Sequence, residues 1–188
     1  SNLFFICNED HLSHPSYGME DHLKSICPSG TVIGIPSHKL GPIHAVNQLK
    51  DHLDWDQPVV VNYCDFSCYW SWQHFKQSVQ DLELDGAIPA YRGFHPHSLG
   101  STNYAYMKEA NYRLQDIQEK QPFTDNRMQE FASSGTYYFK TAELMYKAFD
   151  WVVDNNVHVN NEFYISVAYQ YLLKNNLETL VYPLQHFM

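Results

Sequence analysis

Basic residues are scarce in this chain. Only 12 Lys and Arg stand against 21 Asp and Glu, a formal charge of -9 over 188 residues. A binder of the phosphate backbone needs clustered cations that release counterions, so no nucleic-acid partner is expected. Cysteine is sparse as well. Cys7, Cys27, Cys64 and Cys68 are too few and too scattered to staple a chain of this length. Cys7 and Cys64 lie inside apolar runs, where a thiol behaves as a small hydrophobe. No apolar run approaches the roughly 18 residues that span a bilayer, and no basic segment precedes a hydrophobic stretch at the N-terminus. The expectation is a cytoplasmic protein with reduced thiols and no membrane partner. Internal repeats and low-complexity linkers are missing. Eleven histidines, among them His11, His14, His95 and His97, form no compact Cys/His spacing of the zinc-ribbon or finger type. No nucleophile elbow or catalytic-cysteine signature supports a hydrolase.

What the chain does have is a large apolar content, 44% hydrophobic and 15% aromatic, enough for one folded domain over residues 1–188. Leu3 to Cys7 is a continuous apolar run ending in Asn8-Glu9-Asp10, the pattern of a strand buried on both faces. A short helix is predicted from Gly18 and a second strand over Thr31 to Pro36. Pro42, after Lys39-Leu40-Gly41, opens a helix predicted to run to about Leu53, with Ile43, Val46, Leu49 and Leu53 on one stripe. Val59 to Cys64 is the most strand-like segment. Asp65 follows it and a helix is expected beyond. Further strands are predicted at Asp85 to Tyr91, Tyr104 to Met107, Ser134 to Phe139 and Leu180 to Leu184, with helices at about Thr141 to Asn155 and Glu162 to Lys174. Strand, helix, strand at this spacing predicts right-handed crossovers. The expected fold is α/β, a Rossmann-like three-layer sandwich on a mainly parallel central sheet. Its active site should gather at the carboxyl ends of the strands.

Asp65 is the sharpest single signal. A carboxylate at the tip of a buried strand can hold a hard divalent cation against a phosphate, and an Asp there can equally cap a helix. Glu162 offers a second carboxylate, either for a metal or as a first-turn acid favoured by the helix dipole. Glu119-Lys120 places an acceptor for hydroxyl groups beside a cation, and is also an ordinary solvated pair. Gly41-Pro42 with His44 presents backbone amides and a polar side chain at a helix entrance, with or without a ligand. Ser133-Ser134-Gly135 either admits a ligand close to the backbone or only turns the chain into a strand. Tyr69, Trp70, Trp72 and Phe75 have nearly helical spacing and suit core packing.

The order of these pieces carries more than any one of them. Gly-Pro-Ile-His-Ala-Val at 41–46 is followed by Val-Val-Val-Asn-Tyr-Cys-Asp-Phe at 59–66. Glu-Lys-Gln-Pro-Phe at 119–123 comes next, then Ala-Ser-Ser-Gly-Thr-Tyr-Tyr-Phe at 132–139 and Asn-Glu-Phe-Tyr-Ile-Ser at 161–166. This succession, from about Leu3 to Phe187, resembles the sugar-nucleotide pyrophosphorylase (nucleotidyltransferase) family, with its glycosyltransferase-A-like fold, and is most similar to the branch of capsule and lipopolysaccharide biosynthesis.

The resemblance implies transfer of a nucleoside monophosphate from a nucleoside triphosphate to a sugar 1-phosphate or related phosphorylated acceptor. Pyrophosphate leaves, and Mg2+ neutralises charge. It implies that Asp65 is the magnesium-holding aspartate and a catalytic residue. Glu162 is the candidate for the second metal carboxylate, a place that Ser166 could also occupy. Gly41 and His44 would contact the nucleotide base, His44 standing where Gln is more usual. Glu119 and Lys120 would grip sugar hydroxyls and phosphate, Lys120 also acting in catalysis, and Gly135 would line the sugar pocket. The family's pattern opens on a strand and a glycine-rich Gly-x-Gly-x-Arg loop, which this sequence lacks. The expectation is a chain truncated at the N-terminus and trimmed at the C-terminus, with Ser1-Asn2 a cloning remnant. Two other functions are compatible: a non-catalytic nucleotide- or sugar-binding relative, and a glycosyltransferase that takes a nucleotide-sugar donor. Oligomerisation is left open.

Overall fold

The computed structural model describes residues 2–65 and 67–187, and for residues 97, 186 and 187 the backbone only. Ser1, Phe66 and the side chain of His97 therefore lie outside the description. The chain opens with β1 (Phe4–Asn8), α1 (Glu9–Leu12), α2 (Met19–Ile26), β2 (Thr31–Ile35) and α3 (Pro42–Asn47). It continues through β3 (Val59–Asn62), β4 (Cys68–Tyr69), α4 (Trp72–Asp81), β5 (Gly86–Tyr91), β6 (Ala105–Ala110) and β7 (Arg113–Glu119). The remainder is β8 (Phe131–Ser133), β9 (Thr136–Phe139), α5 (Ala142–Asp154), α6 (Ile165–Lys174), β10 (Thr179–Pro183) and β11 (His186–Phe187).

The central sheet has seven strands in the order β10-β7-β6-β8-β5-β9-β3, and β10 also pairs with β5. It is mixed rather than mainly parallel. Among the described residues its one parallel pairing is β5–β10, while β3–β9, β5–β8, β5–β9, β6–β7, β6–β8 and β7–β10 are antiparallel. The expectation of parallel crossovers fails because a hairpin intervenes. β6 turns into β7 through Asn111-Tyr112, both with positive φ (51° and 59°), the geometry of a tight hairpin turn in which Asn is favoured. β1 and β2 do pair in parallel, as a separate two-stranded sheet. β3 is an edge strand of the central sheet, with Val60 37% exposed, so the strand that leads to Asp65 is not a buried one, and β1, expected to be buried on both faces, is only half-buried along its length.

Residues alternate between two cores. Ile88, Tyr137, Phe139 and Val181 face a large cluster with Ile43 and Val46 of α3, Met145 and Phe149 of α5, and Tyr169 and Leu172 of α6. Their strand neighbours Ala87, Tyr138, Leu180 and Tyr182 face a smaller one with Phe75 and Val79 of α4. Each fully buried side chain of Phe or Leu size contributes roughly 1.5–3 kcal/mol relative to exposure. α5 shows why it forms: Thr141 caps it, accepting from Leu144 N at 3.0 Å, and Ala142, Met145, Tyr146, Phe149 and Val152 are buried at helical spacing. α3 is shorter than the stripe predicts. Beyond Asn47 the chain continues in turns bonded three residues apart, Leu49 N to Val46 O and His52 N to Leu49 O, which still bury Leu49. No helix among the described residues is long and apolar enough to cross a membrane.

Candidate active site

Strand register carries one end of the sheet from β3 to β7. Asn62 at the carboxyl end of β3 is paired with Thr136, and Ser133, just before it in the chain, with Ala90 at the end of β5. Ala132 is paired with Tyr106, and Ala105 with Glu119 at the end of β7. The break between β8 and β9 is where Gly135 takes φ 72°, its N–H donating to Ser133 Oγ at 3.0 Å and its carbonyl accepting from Tyr63 N at 3.0 Å. Pro89, which has no N–H for a ladder, lies beside this break, its carbonyl accepting from Ser134 N.

Here Glu119 and Lys120 meet the start of α6. Ser166, wholly buried, donates to the Glu119 carboxylate at 2.5 Å. The Lys120 ammonium donates to the Tyr164 hydroxyl at 2.5 Å and sits 4.4 Å from that ring's centroid. The Tyr164 hydroxyl in turn donates to the Glu162 carboxylate. Ser133 Oγ donates to the Tyr137 hydroxyl at 3.0 Å, and Tyr137 packs on Tyr63, ring centroids 5.7 Å apart. Lys120 itself is held in the left-handed region at φ 58°, its N–H bonded to Tyr104 O and its carbonyl accepting from Thr102 Oγ1.

Burial pushes the Glu119 carboxyl upward, and Glu162 adds to this, while the Ser166 hydrogen bond and the Lys120 charge oppose it. Burial likewise raises the hydroxyls of Tyr63, Tyr137 and Tyr164. A raised carboxyl stabilises the fold below the ordinary carboxylate range, and that contribution is lost as pH rises through the folded-state value. Glu119→Gln, which keeps the shape and the bond from Ser166, should therefore melt higher than the parent near pH 8, by roughly 2–4 °C. The difference should shrink toward pH 4 in paired thermal melts. A gain that is constant across pH would show that ionisation of Glu119 is not its cause.

Gly41 (φ 89°) packs against the same segment: Phe163 N donates to Leu40 O and Ile43 N to Phe163 O. His44 lies edge-on to His38, ring centroids 4.6 Å apart. Burial and His44 lower His38, against a smaller opposing pull from Glu162. His38 also lines a cavity of about 200 Å³ at the carboxyl ends of β1 and β2, with Ile6, Cys7, Asn8, Ile35 and Ser37.

The structure thus brings Glu119, Lys120 and Glu162 together, with Gly41 packed against Glu162 and Phe163, while His44 adjoins them through His38 and Gly135 through Tyr63. Asp65 sits at the margin of this group, exposed beyond the end of β3; burial raises the hydroxyl of Tyr104 and the Asp65 charge adds to it, and the Tyr104 carbonyl holds Lys120 N. It caps no helix: α4 starts at Trp72 and is capped by Ser71, which accepts from His74 N. Glu162 likewise precedes α6, whose N-cap is Tyr164. Among the described residues no three His, Cys, Asp or Glu side chains lie together as a metal site. Tyr164, Tyr137 and His38 are the residues that sequence reasoning missed. The first lies in the segment predicted as the helix over Glu162 to Lys174 and the second in the strand predicted over Ser134 to Phe139, where nothing in the sequence marks either side chain. Of the aromatic group near α4, Phe75 is buried and Trp70 packs on that core, whereas Trp72 and Tyr69 are exposed.

No protein-family model matches this sequence, and neither does any curated protein. Solved structures do. A nucleoside-diphosphate-sugar pyrophosphorylase from Vibrio cholerae RC9 is similar with a TM-score of 0.74 at 18% identity, over 97% of this chain and 72% of that one. The fold is that of sugar-nucleotide pyrophosphorylases. A UDP-glucose pyrophosphorylase complexed with UDP-glucose has a TM-score of 0.68 at 14% identity, over 99% of this chain and 74% of its own. An inositol-1-phosphate CTP transferase from T. maritima has 0.64 at 9%, over 97% and 66%. At these identities the likeness to the pyrophosphorylase structures is one of fold.

Proposed function

We propose that this chain is a sugar-phosphate nucleotidyltransferase domain that joins a nucleoside monophosphate to a phosphorylated sugar or related acceptor, releasing pyrophosphate, in the cytoplasmic supply of surface polysaccharide. The observation that carries this reading is the convergence of Glu119 and Lys120 with Glu162, Tyr164 and Ser166 at the end of β7, on a fold similar to that of sugar-nucleotide pyrophosphorylases. A carboxylate that only accepts and an ammonium that only donates, side by side, suit hydroxyls and a phosphate on one ligand.

In this reading the nucleotide base lies toward Gly41 and His44, near the cavity beside His38, and the acceptor sugar toward Gly135. Glu119 accepts from sugar hydroxyls. Lys120 draws the acceptor phosphate into place, and that phosphate displaces pyrophosphate at the α-phosphorus in line. Positioning and fixed charge are the protein's contribution. Asp65 has the exposed oxygen donors that a magnesium ion takes, one carboxylate with the rest water and phosphate. Glu162 joins it only on exchanging its bond from Tyr164. Magnesium, when bound, would neutralise charge on the phosphates.

Calorimetry with UTP, dTTP and CTP, each with and without Mg2+, tests the assignment. Asp65→Ala should weaken the magnesium-dependent part of nucleotide binding about tenfold or more, and leave metal-free binding of glucose 1-phosphate within about twofold. Absence of any nucleotide or metal heat, with no pyrophosphate released from any triphosphate and acceptor, would favour a non-catalytic relative. Tighter binding of a nucleotide sugar than of any triphosphate would favour a glycosyltransferase.

A further inference from the structure

We propose that Tyr164 is a positioning residue, whose hydroxyl stands between Lys120 and Glu162 and keeps the lysine charge available to an anionic ligand. The inference rests on reading Lys120 as the phosphate-binding cation.

Glu119 and Lys120 are adjacent, yet each has a hydroxyl partner on another element. Those partners, Tyr164 and Ser166, are themselves two residues apart at the entrance to α6. Ser166 and Ile165 are fully buried, so the entrance is fixed in the core and presents both hydroxyls to the end of β7 together. The direction of the Tyr164 bonds is set by chemistry. An ammonium can only donate and a carboxylate can only accept, so the hydroxyl proton points to Glu162 and its lone pair to Lys120. The result is an ion pair separated by one oxygen atom. Lys120 spends one of its three N–H groups on Tyr164, and a phosphate would take the others.

Removing that oxygen lets the ion pair close. In Tyr164→Phe the ring remains for the lysine to lie against, but nothing stands between the ammonium and the Glu162 carboxylate. A direct pair in a partly buried site is stronger than one in open water, and an anionic ligand would have to break it.

The test is a double-mutant cycle on the whole chain in metal-free buffer, with glucose 1-phosphate and glucose as probes and melts confirming folding. Tyr164→Phe should weaken glucose 1-phosphate binding about tenfold and leave glucose within about twofold. In a Glu162→Gln background, where no ion pair can close, the same change should cost less than about twofold. Equal losses in both backgrounds, or none in either, would overturn the proposal while leaving Lys120 as the anion site. Unchanged glucose 1-phosphate binding in Lys120→Met would overturn the underlying reading instead. A crystal structure of Tyr164→Phe without ligand gives an answer even where no probe binds. It should show Lys120 Nζ within about 4 Å of the Glu162 carboxylate, the ion-pair range. A lysine that stays clear of Glu162 there would overturn the proposal.

Discussion

Replacing Gly41 by alanine is expected to cost the fold about 2–4 kcal/mol and to lower Tm by roughly 5–15 °C. A Cβ on Gly41 would stand 2.6 Å from Phe163 N, 2.7 Å from Phe163 O and 3.1 Å from Glu162 Cβ. Two of these are backbone atoms, bonded to Leu40 and Ile43, so no side chain can swing aside. The residue also sits at φ 89°, where any L side chain is strained. Gly18→Ala is the control. Gly18 has φ 53° with nothing within 4 Å of an added Cβ, so it carries the backbone strain alone, about 1 kcal/mol. Thermal melts of the pair separate clash from strain. Equal shifts in the two variants would mean that the close approach of Gly41 to Phe163 is not rigid. Because Glu162 and Phe163 are displaced together, Gly41→Ala should also loosen the site that Tyr164 and Glu162 build.

That packing also shows how much of the molecule could be read from its residues. Apolar runs located β1, β2, β3, β5, α5, α6 and β10 to within a few residues, and a proline at the first helical position located the start of α3, because burial and capping dictate those patterns locally. The β6–β7 hairpin was only half visible. Arg113–Glu119 buries just Leu114 and Ile117, a bulge between Lys108 and Glu109 breaks its pairing with β6, and its turn uses Tyr where Gly is the usual signal. Missing β7 made a mixed sheet look parallel. The same gap hid the logic of the site, since Glu119 and Lys120 are placed by the end of that strand. Gly41, His44, Glu119, Lys120, Gly135 and Glu162 were each legible as residue types. That they meet was not, because each contact joins segments tens of residues apart. Tyr164 illustrates the limit, since only its bonds to Lys120 and Glu162 give it a role, and Ser166, named from the sequence only as an alternative metal position, is wholly buried and donates to Glu119.

Lys120 is the position where function and stability should part most clearly. Its φ of 58° is a conformation that costs a non-glycine residue roughly 1–2 kcal/mol, and bonds to Tyr104 and from Thr102 hold it there. Strain of this kind persists where a side chain is needed in one place. Lys120→Met keeps the strain and removes the charge. Lys120→Gly removes both, with part of the gain offset by the entropy of an unfolded glycine. Both variants should lose glucose 1-phosphate binding by about a hundredfold, ~2.7 kcal/mol, the scale of a charge-assisted contact to phosphate. The glycine variant should nonetheless melt above the methionine one, by about 1–3 °C. Calorimetry and melts on the same samples decide it. A glycine variant that melts well below Lys120→Met would show that the left-handed backbone stores no strain, and retained binding in either would remove Lys120 from the anion site. Equal loss of ligand with unequal stability would mean that the chain tolerates an unfavourable backbone in order to aim one ammonium group.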